Sequence, residues 1–171
     1  MKKVVLILIC FLSLQSCNTT EIRKVHYDGN TYRLSFPKGM GDHFIMLCQK
    51  YKVPIYLTYR HIMWESRWDN TKINYANANG TVDYYLMQLN SGSLEDFRYR
   101  YNKGIPIDLQ DWKVTMEVGI QFLVSCYKST YSWYGAYAAY RMGITGYKKY
   151  ACGERPMPKS VQNALDFIFE L

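Results

Sequence analysis

Apolar residues recur at steps of three and four along most of the chain, which is the spacing of one face of a helix. The clearest case begins at Asp42, after which Phe44, Leu47, Cys48 and Tyr51 follow that spacing. Similar patterns predict helices over residues 42–51, 55–68, 91–101, 112–127, 132–142 and 158–171. The chain is therefore expected to be mostly helical.

The predicted helix over residues 132–142 is unusual because many of its side chains are small. Its small residues are Gly135, Ala136, Ala138 and Ala139. Small side chains allow neighbouring helices to approach closely, so this helix is expected at the centre of the domain. Gly143 is expected to end it, and Asp108 or Asp111 is expected to cap the helix that starts at residue 112.

Strand signals are few and short. Residues 31–36 alternate between polar and apolar side chains and follow a turn signal at Asp28-Gly29, which predicts a strand or one hairpin. Residues 69–82 are rich in Asn, Gly and Thr and predict a loop, whereas residues 84–89 predict a strand or a tight turn. The fold class is thus mostly α, or α+β with a small strand region, in a single domain.

The N-terminus has the composition of a signal peptide. Lys2 and Lys3 precede an apolar run over residues 4–12, which is too short to cross a bilayer. Residues 14–17, Leu-Gln-Ser-Cys, resemble the lipobox of bacterial lipoproteins, in which the cysteine is lipidated when the signal is removed. We therefore expect a signal peptide over residues 1–16 and a lipid on Cys17; the alternative is an ordinary secretory signal cleaved nearby.

The remaining chain divides into a tether over residues 17–38 and a folded domain over residues 39–171. Apolar residues make up 49% of the sequence and charged residues 20%, which is typical of a packed globule rather than a disordered chain. The formal net charge is +7 for the whole sequence and +5 once Lys2 and Lys3 leave with the predicted signal peptide, and this modest positive excess suits an anionic envelope surface. Basic runs with interleaved aromatic residues are lacking, so no nucleic-acid partner is expected.

The cysteines and histidines suggest structural roles. Cys48 and Cys126 lie in apolar helical patterns and are interpreted as core residues. With Cys152 they could form one disulfide, but the sequence does not select the pair. No Cys/His spacing is typical of zinc, and no metal or cofactor is expected. The histidines are interpreted as structural or surface residues: His26, His43 and His61.

The candidate catalytic residue is Glu65, which follows an apolar helical stretch and lies between Trp64 and Trp68. Apolar surroundings raise the pKa of a carboxyl group because they disfavour its charged form. A glutamic acid that stays protonated near neutral pH can donate a proton to a leaving oxygen.

Three short motifs occur in the order found in one enzyme family. They are Glu65-Ser66 at the end of a helix, Leu86-Met87-Gln88 in the small strand region, and Ala139-Tyr140 in the helix of small residues, with Gly143 following. Over roughly residues 42–150 this pattern resembles the goose-type and Slt-type lytic transglycosylases, whose fold is lysozyme-like. The resemblance implies a peptidoglycan lytic transglycosylase.

The resemblance also implies a reaction and a set of site residues. The family cleaves the β-1,4 bond between N-acetylmuramic acid and N-acetylglucosamine and leaves a 1,6-anhydro end. Glu65 would act first as acid and then as base, and Ser66 would orient Glu65 or contact the cleaved region. Met87 and Gln88 would line the glycan groove, and Tyr140 would form a hydrogen bond near Glu65.

Two residues depart from the family's pattern. Tyr85 stands where the family has Gly, at a point where a glycine can adopt a positive φ. Arg141 stands where the family has Asn, and a guanidinium beside Glu65 would lower the pKa of the catalytic acid. If Arg141 points to solvent instead, it does not affect the pKa of Glu65.

The sequence leaves two alternative functions open. Asp83 could serve as a second carboxylate, which would make the protein a hydrolytic, lysozyme-like muramidase; its other interpretation is a loop residue that accepts backbone hydrogen bonds. Tyr85 and Arg141 favour a non-catalytic peptidoglycan-binding protein on the same fold. In every case we expect a monomer at the cell envelope, anchored through Cys17 to a membrane that faces the periplasm or the cell wall.

Overall fold

The structure is a computed structural model that describes residues 20–77, 79–94, 99 and 108–170. The predicted signal peptide over residues 1–16 and the predicted lipidation site Cys17 lie outside the described residues. So does most of the predicted helix over residues 91–101, of which residues 91–94 and Tyr99 are described and are helical.

Helices dominate the described chain, as the hydrophobic pattern predicts. Two strands come first and are followed by two helices: β1 (Thr20–Tyr27), β2 (Asn30–Pro37), α1 (Gly41–Tyr51) and α2 (Ile55–Glu65). Three very short strands form the next unit: β3 (Ile73–Asn74), β4 (Asp83–Tyr84) and β5 (Leu89–Asn90). Four helices complete the fold: α3 (Trp112–Thr130), α4 (Trp133–Met142), α5 (Ile144–Ala151) and α6 (Lys159–Phe169). In these described ranges no helix is both long and apolar enough to cross a membrane.

Helix α4 lies at the centre of the domain, as its small residues predict. Residues 135–139 are all buried, and the helix packs against α3, α5 and α6. The hydroxyl of Ser132 caps its first turn by accepting a hydrogen bond from the N–H of Gly135, at 2.9 Å. Gly143 ends α4 as predicted, but the chain starts α5 at the next residue. The pattern did not predict α5 because none of its residues is fully buried.

The N-terminal strands form a hairpin that packs onto the helices. β1 and β2 pair antiparallel, and Asp28 and Gly29 both have a positive φ in the turn between them, as tight hairpin turns require. Val25, Leu34 and Phe36 are buried in the same hydrophobic core as the helices. Residues 20–37 are thus in contact with the domain, although the sequence assigned them to a tether, because their short alternating pattern did not show that the helices cover one face of the hairpin.

The hairpin also caps helix α1. Oε1 of Glu21 in β1 accepts a hydrogen bond of 2.6 Å from the N–H of Gly41, the first residue of the helix. A carboxylate at this end is favourable because the helix N-terminus is partially positive. A Cβ on Gly41 would lie 2.7 Å from Oε1 of Glu21 and 3.0 Å from the ring of Phe36, so only glycine allows this approach.

Helix α2 ends at Glu65, three residues before the predicted end at Trp68. The reason is that Arg67 and Trp68 adopt left-handed φ values of 57° and 67°. This reversal turns Trp68 into the core, where its ring meets Phe36 and Phe44 at centroid distances of 5.0 and 5.2 Å. Glu65 is therefore the last helical residue of α2.

Strands β3, β4 and β5 form a small antiparallel sheet. The sequence predicted a strand or a tight turn over residues 84–89, and the structure has both, since residues 85–88 form the turn between β4 and β5. It did not predict β3, which lies in the stretch assigned to a loop. Tyr85 has a φ of 59°, and its carbonyl accepts a hydrogen bond of 3.0 Å from the N–H of Gln88.

Met87 anchors this turn to helix α3. Its side chain is fully buried, and a Cβ on Gly119 would lie 2.3 Å from its sulfur atom. Glycine at position 119 is therefore required for the close approach of the turn to α3.

Three cysteines are described, and all are free. Cys48 and Cys126 are buried, which confirms that they are core residues, and burial raises the pKa of the Cys48 thiol above its ordinary value. Cys152 is exposed.

We predict that the hairpin belongs to the cooperative fold. Phe36→Ala should lower the free energy of unfolding by about 3–5 kcal/mol, because it removes a fully buried ring. Ile22→Ala is the matched control, since Ile22 lies in the same hairpin and is 53% exposed; its cost should stay below about 1 kcal/mol. Urea denaturation measures both. Equal small effects would mean that the hairpin is a tether.

We predict that Tyr85→Gly stabilises the protein. The left-handed conformation costs a non-glycine residue about 1–2 kcal/mol, and the entropy of glycine offsets about half of that gain. The melting temperature should rise slightly. Tyr84→Gly is the control, because Tyr84 lies in strand β4 and glycine weakens strands. A lower melting temperature for Tyr85→Gly would show that the Tyr85 ring contributes more than the strain costs.

Candidate active site

A cleft of about 610 Å³ lies between the small sheet and the helices. Helix α2 contributes Glu65 to it, and α4 contributes Tyr140 and Arg141. The sheet contributes Asp83 and Gln88, together with several neutral polar side chains: Asn74, Asn77, Asn79, Thr81 and Asn90. The cleft therefore has a hydrogen-bonding wall opposite a buried carboxyl group.

Glu65 has the environment expected of a catalytic acid. It is only 8% exposed, and burial raises its pKa above the ordinary value. The charge of Arg141 and a hydrogen bond from it act in the opposite direction, but the net direction is upward. The titratable or charged groups that influence Glu65 lie on three sides: His61 on α2, Lys72 and Asp83 at the sheet, and Tyr140 and Arg141 on α4.

Arg141 points at Glu65 and not to solvent. Its Nη1 lies 2.5 Å from Oε1 of Glu65, and its side chain is 23% exposed. Taken by itself, the interaction with Arg141 lowers the pKa of Glu65, as expected from the sequence. Desolvation of the carboxyl group outweighs it, because burial is the largest influence on Glu65.

His61 is a neighbour of Glu65 that the sequence did not place at the site. It lies one helical turn earlier on α2, is fully buried, and has its Nδ1 3.8 Å from Oε1 of Glu65. Burial, and then the charge of Arg141, lower the pKa of His61 to about 3, so its ring is neutral. The four-residue spacing from Glu65 is the sequence signal that could have identified it.

Ser66 connects the end of α2 to the turn of the sheet. Its hydroxyl donates a hydrogen bond of 2.7 Å to the carbonyl of Leu86, and the residue is 4% exposed. The hydroxyl thus positions the turn, whereas the family resemblance implied that it would orient Glu65 or contact the cleaved region. Lys72 makes a similar link, since its Nζ donates to the carbonyl of Glu65 at 2.6 Å.

The other predicted site residues separate into two groups. Gln88 and Tyr140 line the cleft. Met87 does not, because its side chain is fully buried against α3, so the expectation that it lines the groove is wrong. The Tyr140 hydroxyl donates a hydrogen bond of 2.9 Å to the carbonyl of Met87, and the Gln88 amide donates one of 2.9 Å to the carbonyl of Tyr85. Both side chains thereby stabilise the turn while they face the cleft.

Asp83 is the second carboxylate of the cleft. Its Oδ1 accepts a hydrogen bond of 2.7 Å from the amide of Asn90, and its Oδ2 accepts one of 3.2 Å from the amide of Asn74. Asp83 therefore holds two asparagines of the polar wall in place. Among the described residues, no group of three or more His, Cys, Asp or Glu side chains could hold a metal ion.

The comparisons agree with this geometry. The family model of the transglycosylase SLT domain matches residues 42–161, which include Glu65, the turn and helix α4. A comparison with curated proteins gives no match. The match spans well over half of the chain, and the fold is mostly helical with small sheets. The chain therefore belongs to the transglycosylase SLT domain family, which implies a function of the lytic transglycosylase type on peptidoglycan.

Proposed function

We propose that the protein is a peptidoglycan lytic transglycosylase that uses Glu65 as its single acid and base. It cleaves the β-1,4 bond between N-acetylmuramic acid and N-acetylglucosamine and forms a 1,6-anhydromuramic end. The observation that supports this most directly is the position of Glu65, a buried carboxyl group with a raised pKa at the edge of a polar cleft.

In the first step, protonated Glu65 donates its proton to the glycosidic oxygen. The bond from this oxygen to carbon 1 of the muramic acid breaks, and the N-acetylglucosamine leaves with a free hydroxyl group. A raised pKa favours this step because it keeps the acid protonated at higher pH.

In the second step, ionised Glu65 accepts the proton of the hydroxyl group on carbon 6 of the muramic acid. The freed oxygen forms a bond with carbon 1 of the same sugar and closes the anhydro ring. Glu65 ends protonated, as it began, and no water is consumed. A single carboxyl group is sufficient for both proton transfers.

A hydrolytic muramidase is the second candidate because Asp83 lines the same cleft. Its carboxylate would have to activate a water molecule or attack the sugar. Both of its oxygens already accept hydrogen bonds from asparagine amides, which favours a structural role. We therefore rank hydrolysis below transglycosylation.

A non-catalytic glycan-binding protein is the third candidate, and the two departures from the family pattern are its basis. Tyr85 adopts the positive φ that a glycine would adopt, so the turn forms in spite of the substitution. Arg141 is the stronger objection, because it pairs with the proposed acid.

We also propose that the domain acts at a membrane surface that faces the cell wall, as a monomer without a cofactor. A lipid on Cys17 would attach the chain only three residues before β1, which begins at Thr20. The hairpin would then lie next to the membrane, and stable attachment would need more than one acyl chain.

We predict that Glu65→Gln loses nearly all activity. This variant keeps the shape of the side chain but has no proton to give, so the release of anhydro-muropeptides from purified peptidoglycan should fall by about 10²–10⁴-fold. Mass spectrometry of the released sugars measures this. Asp83→Asn is the control for hydrolysis. If the products have reducing ends and their release requires Asp83, the protein is a hydrolytic muramidase. If a folded protein binds peptidoglycan but releases no products, it is a non-catalytic binding protein.

We predict that Arg141→Asn extends activity to higher pH. Removal of the guanidinium removes the main influence that lowers the pKa of Glu65, so that pKa should rise. Glu65 must be protonated for the first step, and activity is therefore lost as the pH rises through its pKa. The alkaline limb of the pH–rate profile on intact peptidoglycan should therefore move to higher pH.

Arg67→Asn is the matched control for the Arg141 variant. It makes the same change at an exposed residue close to Glu65 in the sequence, and asparagine tolerates the positive φ at position 67. The alkaline limb should stay in place. A shift of equal size in both variants would attribute the effect to net charge and not to the contact with Glu65.

A further inference from the structure

The pairing of Arg141 with Glu65 opposes the acid function that burial of the carboxyl group favours. The first proton transfer requires a neutral Glu65, and the guanidinium at 2.5 Å stabilises the ionised form. The pair is also mostly buried, with side chains 23% and 9% exposed. Separating such a pair is costly unless each charge is neutralised or finds a new partner.

Among the described residues that line the cleft, no carboxylate is free to pair with Arg141 in place of Glu65. The only other carboxylate in the described lining is Asp83, and both of its oxygens accept hydrogen bonds from Asn74 and Asn90. Within the described part of the chain, the Nε of Arg141 is buried and has no hydrogen-bond partner. Arg141 thus has a donor that Glu65 does not use, and its side chain lines the cleft, where an anion of the substrate can approach the guanidinium.

We propose that Arg141 binds the free lactyl carboxylate of a peptide-free muramic acid and thereby releases Glu65 to act as a neutral acid. The enzyme then prefers glycan strands from which the stem peptides have been removed. This inference rests on the proposed transglycosylase function.

The chemistry of the substrate supports this choice of anion. The lactyl group belongs to the same sugar as the reacting atoms, which are carbon 1 and the oxygen on carbon 6. It therefore enters the cleft together with them. A free carboxylate can accept two parallel hydrogen bonds from a guanidinium. In a peptide-bearing strand the same group is an amide, which has no charge and cannot replace Glu65 as the partner of Arg141.

The charges balance when the partners exchange. Before binding, the positive charge of Arg141 stabilises the ionised fraction of Glu65. After binding, Arg141 is paired with the lactyl carboxylate, and Glu65 takes up one proton from solvent. Asp83 keeps its charge and its hydrogen bonds throughout. A peptide-bearing strand brings no such anion, so Arg141 stays on Glu65 and keeps more of it ionised.

The test compares three substrates with the wild-type protein. They are peptide-free glycan strands, the same strands with their lactyl carboxylates reduced to alcohols, and intact peptidoglycan solubilised to strands of matched length. We expect kcat/KM for peptide-free strands to exceed that for both other substrates by at least about tenfold, since a tenfold ratio corresponds to about 1.4 kcal/mol. The reduced strands separate charge from the bulk of the peptide without altering the protein.

Two variants complete the test. Arg141→Asn should bring the three kcat/KM values to within about twofold of one another, whereas Arg141→Lys should keep part of the preference because it keeps the charge. The alkaline limb of the wild-type pH profile should also lie higher on peptide-free strands than on reduced strands. A purely structural role of Arg141 would not move that limb with the substrate.

Three results would overturn the inference. Equal rates on reduced and unreduced strands would show that the lactyl charge is not recognised, and a preference that persists in Arg141→Asn would assign it to another residue. An Arg141-dependent preference for intact strands would identify a carboxylate of the stem peptide as the partner. Anhydro products without any preference overturn the inference alone, whereas the absence of anhydro products from all three substrates overturns the proposed function with it.

Discussion

The reversal of the chain at the end of α2 links the core, the small sheet and the cleft. Glu65 faces the cleft, the next residue bonds the turn of the sheet through the Ser66 hydroxyl, and Trp68 fills the core beneath the hairpin. Arg67 and Trp68 both take left-handed backbone conformations to make this possible, at about 1–2 kcal/mol each. Burial of the indole ring compensates for much of that cost. A regular helix up to Trp68 would move the Trp68 ring away from its partners in the core.

The same reversal explains the electrostatics of the site. Because Glu65 is the last residue of a buried helix, its carboxyl group loses most of its hydration, and its pKa rises. Arg141 approaches from α4 and partly restores the ionised form, while the neutral ring of His61 supplies no charge from the other side. The site therefore balances desolvation against one ion pair. Whatever changes the partner of Arg141 changes the protonation of the proposed acid.

The departures from the family motif show how far a motif can be transferred to a new chain. At position 85 the turn needs a positive φ, and a tyrosine adopts it because hydrogen bonds from Gln88 and to Lys72 fix the backbone. At position 87 the motif residue is present, but its side chain fills the space above Gly119 and does not face the cleft. A sequence motif thus specifies a backbone shape more reliably than it specifies what each side chain contacts.

The spacing of apolar residues predicted the helices that bury one face, since this spacing is a local property of the chain, but it missed α5, which buries none of its residues. The sequence also indicated the central position of α4, the cap at Asp111 and the choice of Glu65 as the candidate acid. The fold brings Arg141 to Glu65, because their helices are far apart in the chain and meet only in the folded domain, whereas His61 lies on the same helix as Glu65. The packing of residues 20–37 was decided in the same way, since an alternating strand buries one face only when another element covers it.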